Sequence, residues 1–414
     1  MKEQSTEKDV ESRVEWSNLE SFARLEIQGW VQRLLEEEIN ELLGREKSER
    51  RAAVDAVAGY RNGYGKPRKL ALSSGTICVR RPRVRGLEER FKSRILPLFK
   101  RRTEQVGELL PTLYLHGLAE GDFDLALRGL LGDGAPLSAS SIARLKESWQ
   151  AEYEGWRSRS LEGIEVVYLW ADGIYVKAGL EKEKAAVLVI VAGLRDGTKV
   201  VLAVESGHRE SVEAWSSILR DLHRRGMKAP SLVIGDGHLG LWGALTNVFP
   251  ETKEQRCWNH RIVNILDKIS NKEQRQAKLI LTTIPYAPSR EEAERLKGKF
   301  QAWCRKKGFA DAAKLIDRDW ERMLTFYQFP EPHWRHLRTT NIVESPFAAV
   351  RLRTSAAKRY KKVPNATAVI WKTLLVGQES FRRLNAPELL ADVANGITYV
   401  NGVRVKEQAR RSAA

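Results

Sequence analysis

The stretch VVYLWADG, residues 166–173, decides how the rest of the chain is read. Its apolar run from Val166 to Trp170 is rich in β-branched and aromatic residues, which suits a buried strand that carries Asp172 to its C-terminal edge. The same delivery recurs at SLVIGDGH, where Leu232, Val233 and Ile234 lead into Asp236 between two glycines. An arbitrary Asp-Gly most often only makes a turn. Two of them, each closing an apolar strand, point instead to carboxylates displayed at one sheet edge. A further acid, Glu344, lies in RTTNIVESPFAAVR, where Thr340 or Asn341 caps a helix that carries it.

Around the first stretch the rhythm is that of strands. Residues 164–170, 185–192 and 199–204 form β-like runs joined by turns at DGIYVKAG and RDGTK. A helix follows from Glu210 to Arg225, then a strand at Ser231 to Ile234, a helix at Leu239 to Phe249 and a short strand at Glu254 to Trp258. The order βββαβαβ is that of a ribonuclease H-like core lacking its last helix. From His260 to Arg335 the pattern is helical, punctuated weakly at Pro285, Pro288 and Pro330. With Glu344 on the missing helix, this region becomes an all-α insertion.

Upstream, apolar residues from Leu19 to Leu43 recur near helical spacing opposite Glu36, Glu37 and Glu38, as one amphipathic helix or two. GYRNGYGKPRKLALSSGTICVRRPRVRG, residues 59–86, is dense in Gly, Pro and cations and holds one short β-like run, Thr76 to Val79. A solvated basic loop explains it, as does backbone approach to phosphates. Next, Glu120 to Leu131, a break at GDGAP, and a helix capped by Ser138, Ser140 or Ser141 and running to Trp149 resemble a helix-turn-helix. The expected organisation is a helical and basic region at 1–102, a helix-turn-helix-like DNA-binding region at 103–160 and the first part of the core at 161–259. The insertion spans 260–337, the last core helix with Glu344 spans 338–385, and a tail spans 386–414. The fold class is α/β: a ribonuclease H-like core, an all-α insertion and an N-terminal helical DNA-binding region.

Composition narrows the partner. Lys and Arg total 70 against 53 Asp and Glu, a net charge of +17, and the pI of 9.7 makes a polyanion the first partner to consider. The candidate phosphate contacts are Arg61, Lys66, Arg68, Arg80, Arg81 and Arg83 in the basic segment, Ser140 and Arg144 in the second helix of the helix-turn-helix pattern, and Arg338, Arg351 and Arg353 around Glu344. Cys78, Cys257 and Cys304 are too scattered for a disulfide framework, which favours a reducing compartment. No run of about 18 apolar residues exists and MKEQSTEKDV is no signal peptide, so a cytoplasmic protein without a membrane partner is expected.

Carboxylates at neighbouring strand ends, joined by one from a helix, suit hard divalent cations. Two Mg2+ ions about 3.5–4 Å apart can activate an attacking oxygen and stabilise the leaving one. The chemistry expected of Asp172, Asp236 and Glu344 is therefore phosphodiester hydrolysis and strand transfer. Sets built from Glu205, Asp196 or Asp221 lack the strand-end placement. Cys257 and His260 form Cys-x-x-His, but zinc wants more ligands and no second close pair follows, so the motif reads as structural. Trp258 between them is read as a core residue, with stacking on a displaced base as the alternative.

The motifs YLWADGIYVK from Tyr168, ESVEAW from Glu210, LVIGDGHLGLWGAL from Leu232, QRCWNH from Gln255, FYQFPEPHWRHLRTTNIVES from Phe326 and FAAVRLRT from Phe347 stand in one order. Together they resemble the bacterial Mutator-type insertion-sequence transposases, with the similarity running from Tyr60 to Asn385. The resemblance implies a DDE recombinase whose acids fall on Asp172, Asp236 and Glu344, with Mg2+ or Mn2+ as cofactor and two ions in the active complex. It also implies double-stranded DNA partners, the element's terminal inverted repeats and a target, bound by a homodimer or higher homo-oligomer at the bacterial nucleoid. One departure is Ile342-Val343, where the family is expected to carry Pro-Ile. The rival expectations are a ribonuclease H-like nuclease that cuts without joining, and a non-catalytic DNA-binding relative, which retention of all three acids disfavours.

Overall fold

The computed structural model describes residues 15–405, apart from 52, 54–56, 120–121, 133–134, 136–138, 179–184, 208–209, 238 and 358. The chain divides into two compact units, Met1–Tyr114 with Leu118–Leu145, and Leu115–Gly117 with Lys146–Ala414. Among the described residues no helix is long and apolar enough to cross a membrane.

In the first unit α1 (Leu19–Leu43) is a single helix, stopped by Gly44 in the left-handed region at φ 63°. The basic segment after it is not a loop with one short strand. It holds β1 (Tyr60–Tyr64), β2 (Arg68–Leu72), β3 (Gly75–Val79) and β4 (Pro82–Arg85), paired antiparallel as β1 with β4 and β2 with β3. The reason lies in a small core: Leu70, Ile77 and Val79 close on Leu35 of α1 and on Leu96. Those apolar positions are few and flanked by cations at 68–69 and 80–81, so their alternation is faint in the sequence. Helix α1 also supplies amides to the strand edge. Gln28 Oε1 accepts from Cys78 N at 2.8 Å, and Gln32 bonds both the N–H and the carbonyl of Arg80 at 2.9 Å. Three helices follow in the chain, α2 (Glu104–Leu115), α3 (Phe123–Leu131) and α4 (Ala139–Arg157), the last belonging to the second unit from Lys146 on. The last two are the pair with helix-turn-helix spacing. Ser138 and the side chains of Ser140 and Ser141 lie outside what is described.

The second unit is built on β5 (Val166–Val176), β6 (Ala185–Leu194), β7 (Lys199–Gly207), α5 (Val212–Arg224), β8 (Leu232–Gly235), α6 (Leu239–Val248) and β9 (Lys253–Arg256). The five strands form one sheet in the order β7-β6-β5-β8-β9. The β5–β6 and β6–β7 pairs are antiparallel, whereas β5–β8 and β8–β9 are parallel. One face carries Leu169, Ala171, Leu188 and Ile190 against Trp215, Leu219 and Leu222 of α5 and Leu241 and Leu245 of α6. Such continuous apolar strands are what a sheet covered on both faces requires. Ser211 starts α5 by accepting from Ala214 N at 3.2 Å.

Two expectations about length change. Strand β5 does not end at Asp172 but continues to Val176, because β6 pairs with it throughout, Asp172 opposite Val189 and Val176 opposite Ala185. The DGIYV residues expected in a turn are therefore strand. After β9 come α7 (Trp258–Leu266), α8 (Asn271–Leu281), α9 (Arg290–Lys307), α10 (Ala310–Leu315), α11 (Trp320–Leu324) and α12 (Trp334–Leu337). Glu344 then ends α13 (Asn341–Glu344), a single turn rather than a long helix. Pro346 follows after Ser345, and with no N–H to donate it separates α13 from α14 (Phe347–Ala356). The helix that packs on the sheet edge at β7 is a later one, α15 (Val363–Gln378), whose Gln378 Oε1 accepts from Val201 N at 2.6 Å. The tail adds α16 (Leu389–Ala394) and the hairpin of β10 (Tyr399–Val400) and β11 (Val403–Arg404).

Candidate active site

The parallel pairing of β5 with β8 runs Tyr168 to Leu232, Leu169 to Val233 and Trp170 to Ile234. Two residues further on, the same register sets Asp172 beside Asp236. Side chains alternate along a strand, so Tyr168, Trp170 and Asp172 share the face opposite the α5–α6 core. The end of the helical segment covers that face: Tyr168 Oη lies 2.8 Å from His333 Nδ1, and Trp170 Nε1 donates to His336 O at 2.8 Å. Asp172 is consequently 9% exposed, with Oδ1 accepting from Gly173 N at 2.8 Å.

Glu344 arrives on α13, which packs against β5 and β6. Thr340, at the N-cap position of α13, makes no capping bond with its side chain; its hydroxyl donates to Glu344 Oε1 instead. His260 Nδ1 is 3.9 Å from that oxygen. The three acids thus share one neighbourhood. Burial pushes the Asp172 carboxyl up to about 7, opposed by the Gly173 N–H and His260 and reinforced by Glu344 and Asp236. The hydrogen bond to Cys257 pushes His260 up to about 9 against the effect of burial, with Cys257, Glu344 and Asp172 adding attraction. At neutral pH its imidazolium faces the carboxylates.

Another carboxylate lies close by that sequence reading did not single out. Glu210 Oε1 accepts from Tyr175 Oη at 2.9 Å, and a Cβ at residue 173 would clash with the same oxygen. Glycine at 173 therefore leaves room for Glu210. Its signal was present in ESVEAW, where it stands beside the cap of α5.

The structure separates the proposed DNA contacts. Lys66, Arg80, Arg83, Arg144 and Arg351 are exposed, and Arg81 is half-buried. Arg353 is not available to a DNA backbone, being 1% exposed. Arg338 lies 4.7 Å from the ring of Tyr286, 5.1 Å from Phe326 and 5.6 Å from Trp334, a cage of aromatics rather than an open track. Arg61 is engaged by Asn40 Oδ1 and Arg45 O, and Arg68 by Pro97 O and Lys100 O. Trp258 cannot stack on a base: it is 1% exposed, donates from Nε1 to Met323 O at 2.9 Å and meets Trp320 edge-on.

Acids gathered beside one parallel strand pair, on a chain of net charge +17, suit work on phosphodiesters. The family follows from comparison. The family model described as Transposase, Mutator family, matches residues 1–382, and the chain belongs to that family. It is 43% identical to the transposase for insertion sequence element IS6120 of Mycolicibacterium smegmatis, over 72% of this chain and 92% of that one. It is 36% identical to the transposase for insertion sequence element IST2 of Acidithiobacillus ferrooxidans, over 67% and 94%. A Drosophila P element transposase strand transfer complex shares 11% identity over 74% of this chain and 86% of that chain, at a TM-score of 0.31, too low to carry weight. The protein is a transposase, an enzyme of DNA cleavage and strand transfer.

Proposed function

We propose that the sheet β7-β6-β5-β8-β9 is a ribonuclease H-like core, that Asp172, Asp236 and Glu344 are its catalytic carboxylates, and that the substrates are the terminal inverted repeats of an insertion sequence and a target duplex. The observation that carries this reading is the register of β5 on β8, whose last pair is Trp170 with Ile234 and which, extended by two residues, brings Asp172 alongside Asp236. The all-α stretch 260–337 is then an insertion between the second acid and Glu344. In the first unit, exposed Lys66, Arg80, Arg83 and Arg144 are among the cations available to DNA phosphates.

The donor set fits Mg2+ or Mn2+. Carboxylate oxygens are the hard ligands such ions select, and a buried Asp172 pushed up to about 7 by its surroundings and by two acids is a carboxylate in want of positive charge. When bound, divalent cations lower the pKa of the attacking hydroxyl and neutralise charge at the leaving oxygen. The chain's own contribution is placement. Asp172 is fixed by the β5–β6 ladder, Glu344 by α13, and the His260 imidazolium offsets part of their charge. In cleavage, water oxygen bonds to phosphorus as the bond to the bridging O3′ breaks; in transfer, a DNA 3′-hydroxyl takes the place of water.

Asp172→Asn, Asp236→Asn and Glu344→Gln test the reading, since each keeps shape and removes a ligand charge. Binding to element-end DNA should persist, while cleavage and joining of a pre-cut 3′ end each fall by roughly 100-fold or more in Mg2+ or Mn2+. Full strand transfer by any one variant removes that residue from the site. Cleavage by the wild type without joining would indicate a nuclease, and binding with neither reaction a non-catalytic DNA-binding protein.

A further inference from the structure

The Cys-x-x-His motif and the segment leading into Glu344 face each other residue by residue. Trp258 N donates to Arg338 O at 2.9 Å. Thr340 N and Oγ1 lie 3.3 and 3.2 Å from Cys257 Sγ. Asn259 Nδ2 donates to Asn341 Oδ1 at 2.9 Å. Thr340 Oγ1 is also 3.4 Å from His260 Nδ1 and in hydrogen-bond contact with Glu344 Oε1. Cys257 and Thr340 are both 0% exposed, so the contact between these two is dry. At its other end the motif joins the sheet, since Cys257 N donates to Gly235 O at 2.7 Å. A path of hydrogen bonds thus leads from the residue before Asp236, through Cys257 and Thr340, to the carboxylate of Glu344.

Glu344 needs such a path. Its helix is a single turn followed by Ser345 and Pro346, too short to be held by helix propagation. The same geometry speaks against zinc. Cys257 Sγ, His260 Nδ1 and a Glu344 oxygen lie within 4.8 Å of one another, as a metal group would. Zinc would have to approach each at about 2.0–2.3 Å, and the Thr340 hydroxyl already takes the space among them.

We propose that Thr340, gripped by Cys257, is a positioning residue that aims the Glu344 carboxylate at the metal-binding site, and that Cys-x-x-His is the clasp joining Glu344's turn to the strand end at Asp236. This rests on the reading of Glu344 as a catalytic ligand. The single hydroxyl proton of Thr340 lies between sulfur and carboxylate while its oxygen faces the His260 imidazolium, and its donation to Oε1 directs the other lone pairs of Glu344 outward. Outer partners of metal ligands of this kind set ligand orientation, and their loss weakens metal affinity or activity by roughly 10–100-fold.

Full-length protein carrying Thr340→Val, which keeps shape and loses the hydroxyl, is compared with Thr340→Ser, which keeps the hydroxyl. Joining of pre-cut end DNA is titrated with Mn2+, and the rise in Tm on adding Mn2+ to DNA-free protein is measured alongside. Thr340→Val should need roughly tenfold more Mn2+ in both assays, with metal-free Tm and end-DNA binding unchanged, and Thr340→Ser should return to within about threefold of wild type. Wild-type behaviour of Thr340→Val beside an inactive Glu344→Gln overturns the clasp and leaves the catalytic reading standing. An active Glu344→Gln overturns the catalytic reading, and the clasp with it. Should Thr340→Val melt well below wild type, Cys257→Ser and Cys257→Val decide: the serine oxygen still accepts from Thr340 and should keep activity, whereas equal activities overturn the proposal. Stoichiometric zinc in purified protein, lost together with activity under a zinc-selective chelator, also overturns it.

Discussion

Asp172 and Glu344 reach one neighbourhood by opposite routes. Asp172 sits inside an eleven-residue strand, paired on one side by β6 through its whole length and followed in register by β8 on the other. Its position is fixed by backbone bonds that would form with almost any side chain there. Glu344 sits at the end of a four-residue turn, and its place depends on the side chains of Cys257 and Thr340. The strand-borne acid is therefore buried at an energetic cost, with 9% exposure, while the turn-borne acid keeps 30% of its side chain exposed. One site thus combines a rigid, desolvated carboxylate with one whose orientation is set locally.

That contrast predicts different stability effects from equivalent changes. The Asp172 carboxyl titrates near 7 in the fold, above its ordinary 3.8. The folded state therefore holds that proton more tightly than the unfolded chain, and the stability this contributes is full below about pH 4 and lost as pH rises through 7. In metal-free protein at pH 8, Asp172→Asn should raise Tm by roughly 2–6 °C, with the gain vanishing near pH 4. Glu344→Gln, more exposed, should move Tm much less. Thermal scans across pH check both, and a lower Tm for Asp172→Asn at pH 8 would break the contrast.

A smaller effect sharpens the same distinction between framework and exposed surface. Arg351 and Arg353 stand two apart on α14, yet Arg351 is exposed and Arg353 is buried. Arg351→Ala should leave Tm unchanged and lower by about one the slope of log affinity against log salt for end DNA. An unchanged slope would remove Arg351 from the DNA surface.

How much of this was legible in the sequence depended on how strongly local pattern and burial agreed. The strands leading to Asp172 and Asp236 read clearly because Val166 to Trp170 and Leu232 to Ile234 are continuous apolar runs. The extension of β5 beyond Asp172 did not, because Asp-Gly looks like a turn until a partner strand is seen to pair across it. The two strand pairs between Tyr60 and Arg85 are hidden by their cations, since only Leu70, Ile77 and Val79 carry the core-facing signal. The break after Glu344 was legible in Ser345-Pro346, yet the reading carried the helix through it. Arg353 was counted with the basic surface, because charge predicts exposure in most cases and a buried guanidinium is set by tertiary packing alone. Thr340 was weighed only as a helix cap. Its contact with Cys257 joins residues 83 apart in the chain, and no local pattern announces such a pairing.

The central claim is that Asp172, Asp236 and Glu344 hold metal together, and it can be tested without any DNA reaction. Full-length protein is loaded with Fe2+ in place of Mg2+ and treated with ascorbate and peroxide, so that hydroxyl radicals cut the backbone nearest the bound metal, and the fragments are mapped by mass spectrometry. Cuts clustered around residues 172, 236 and 344, suppressed by excess Mg2+ and weakened in Asp172→Asn, are the predicted result. Cuts confined elsewhere, or cuts at these positions that persist unchanged in Asp172→Asn, would contradict it.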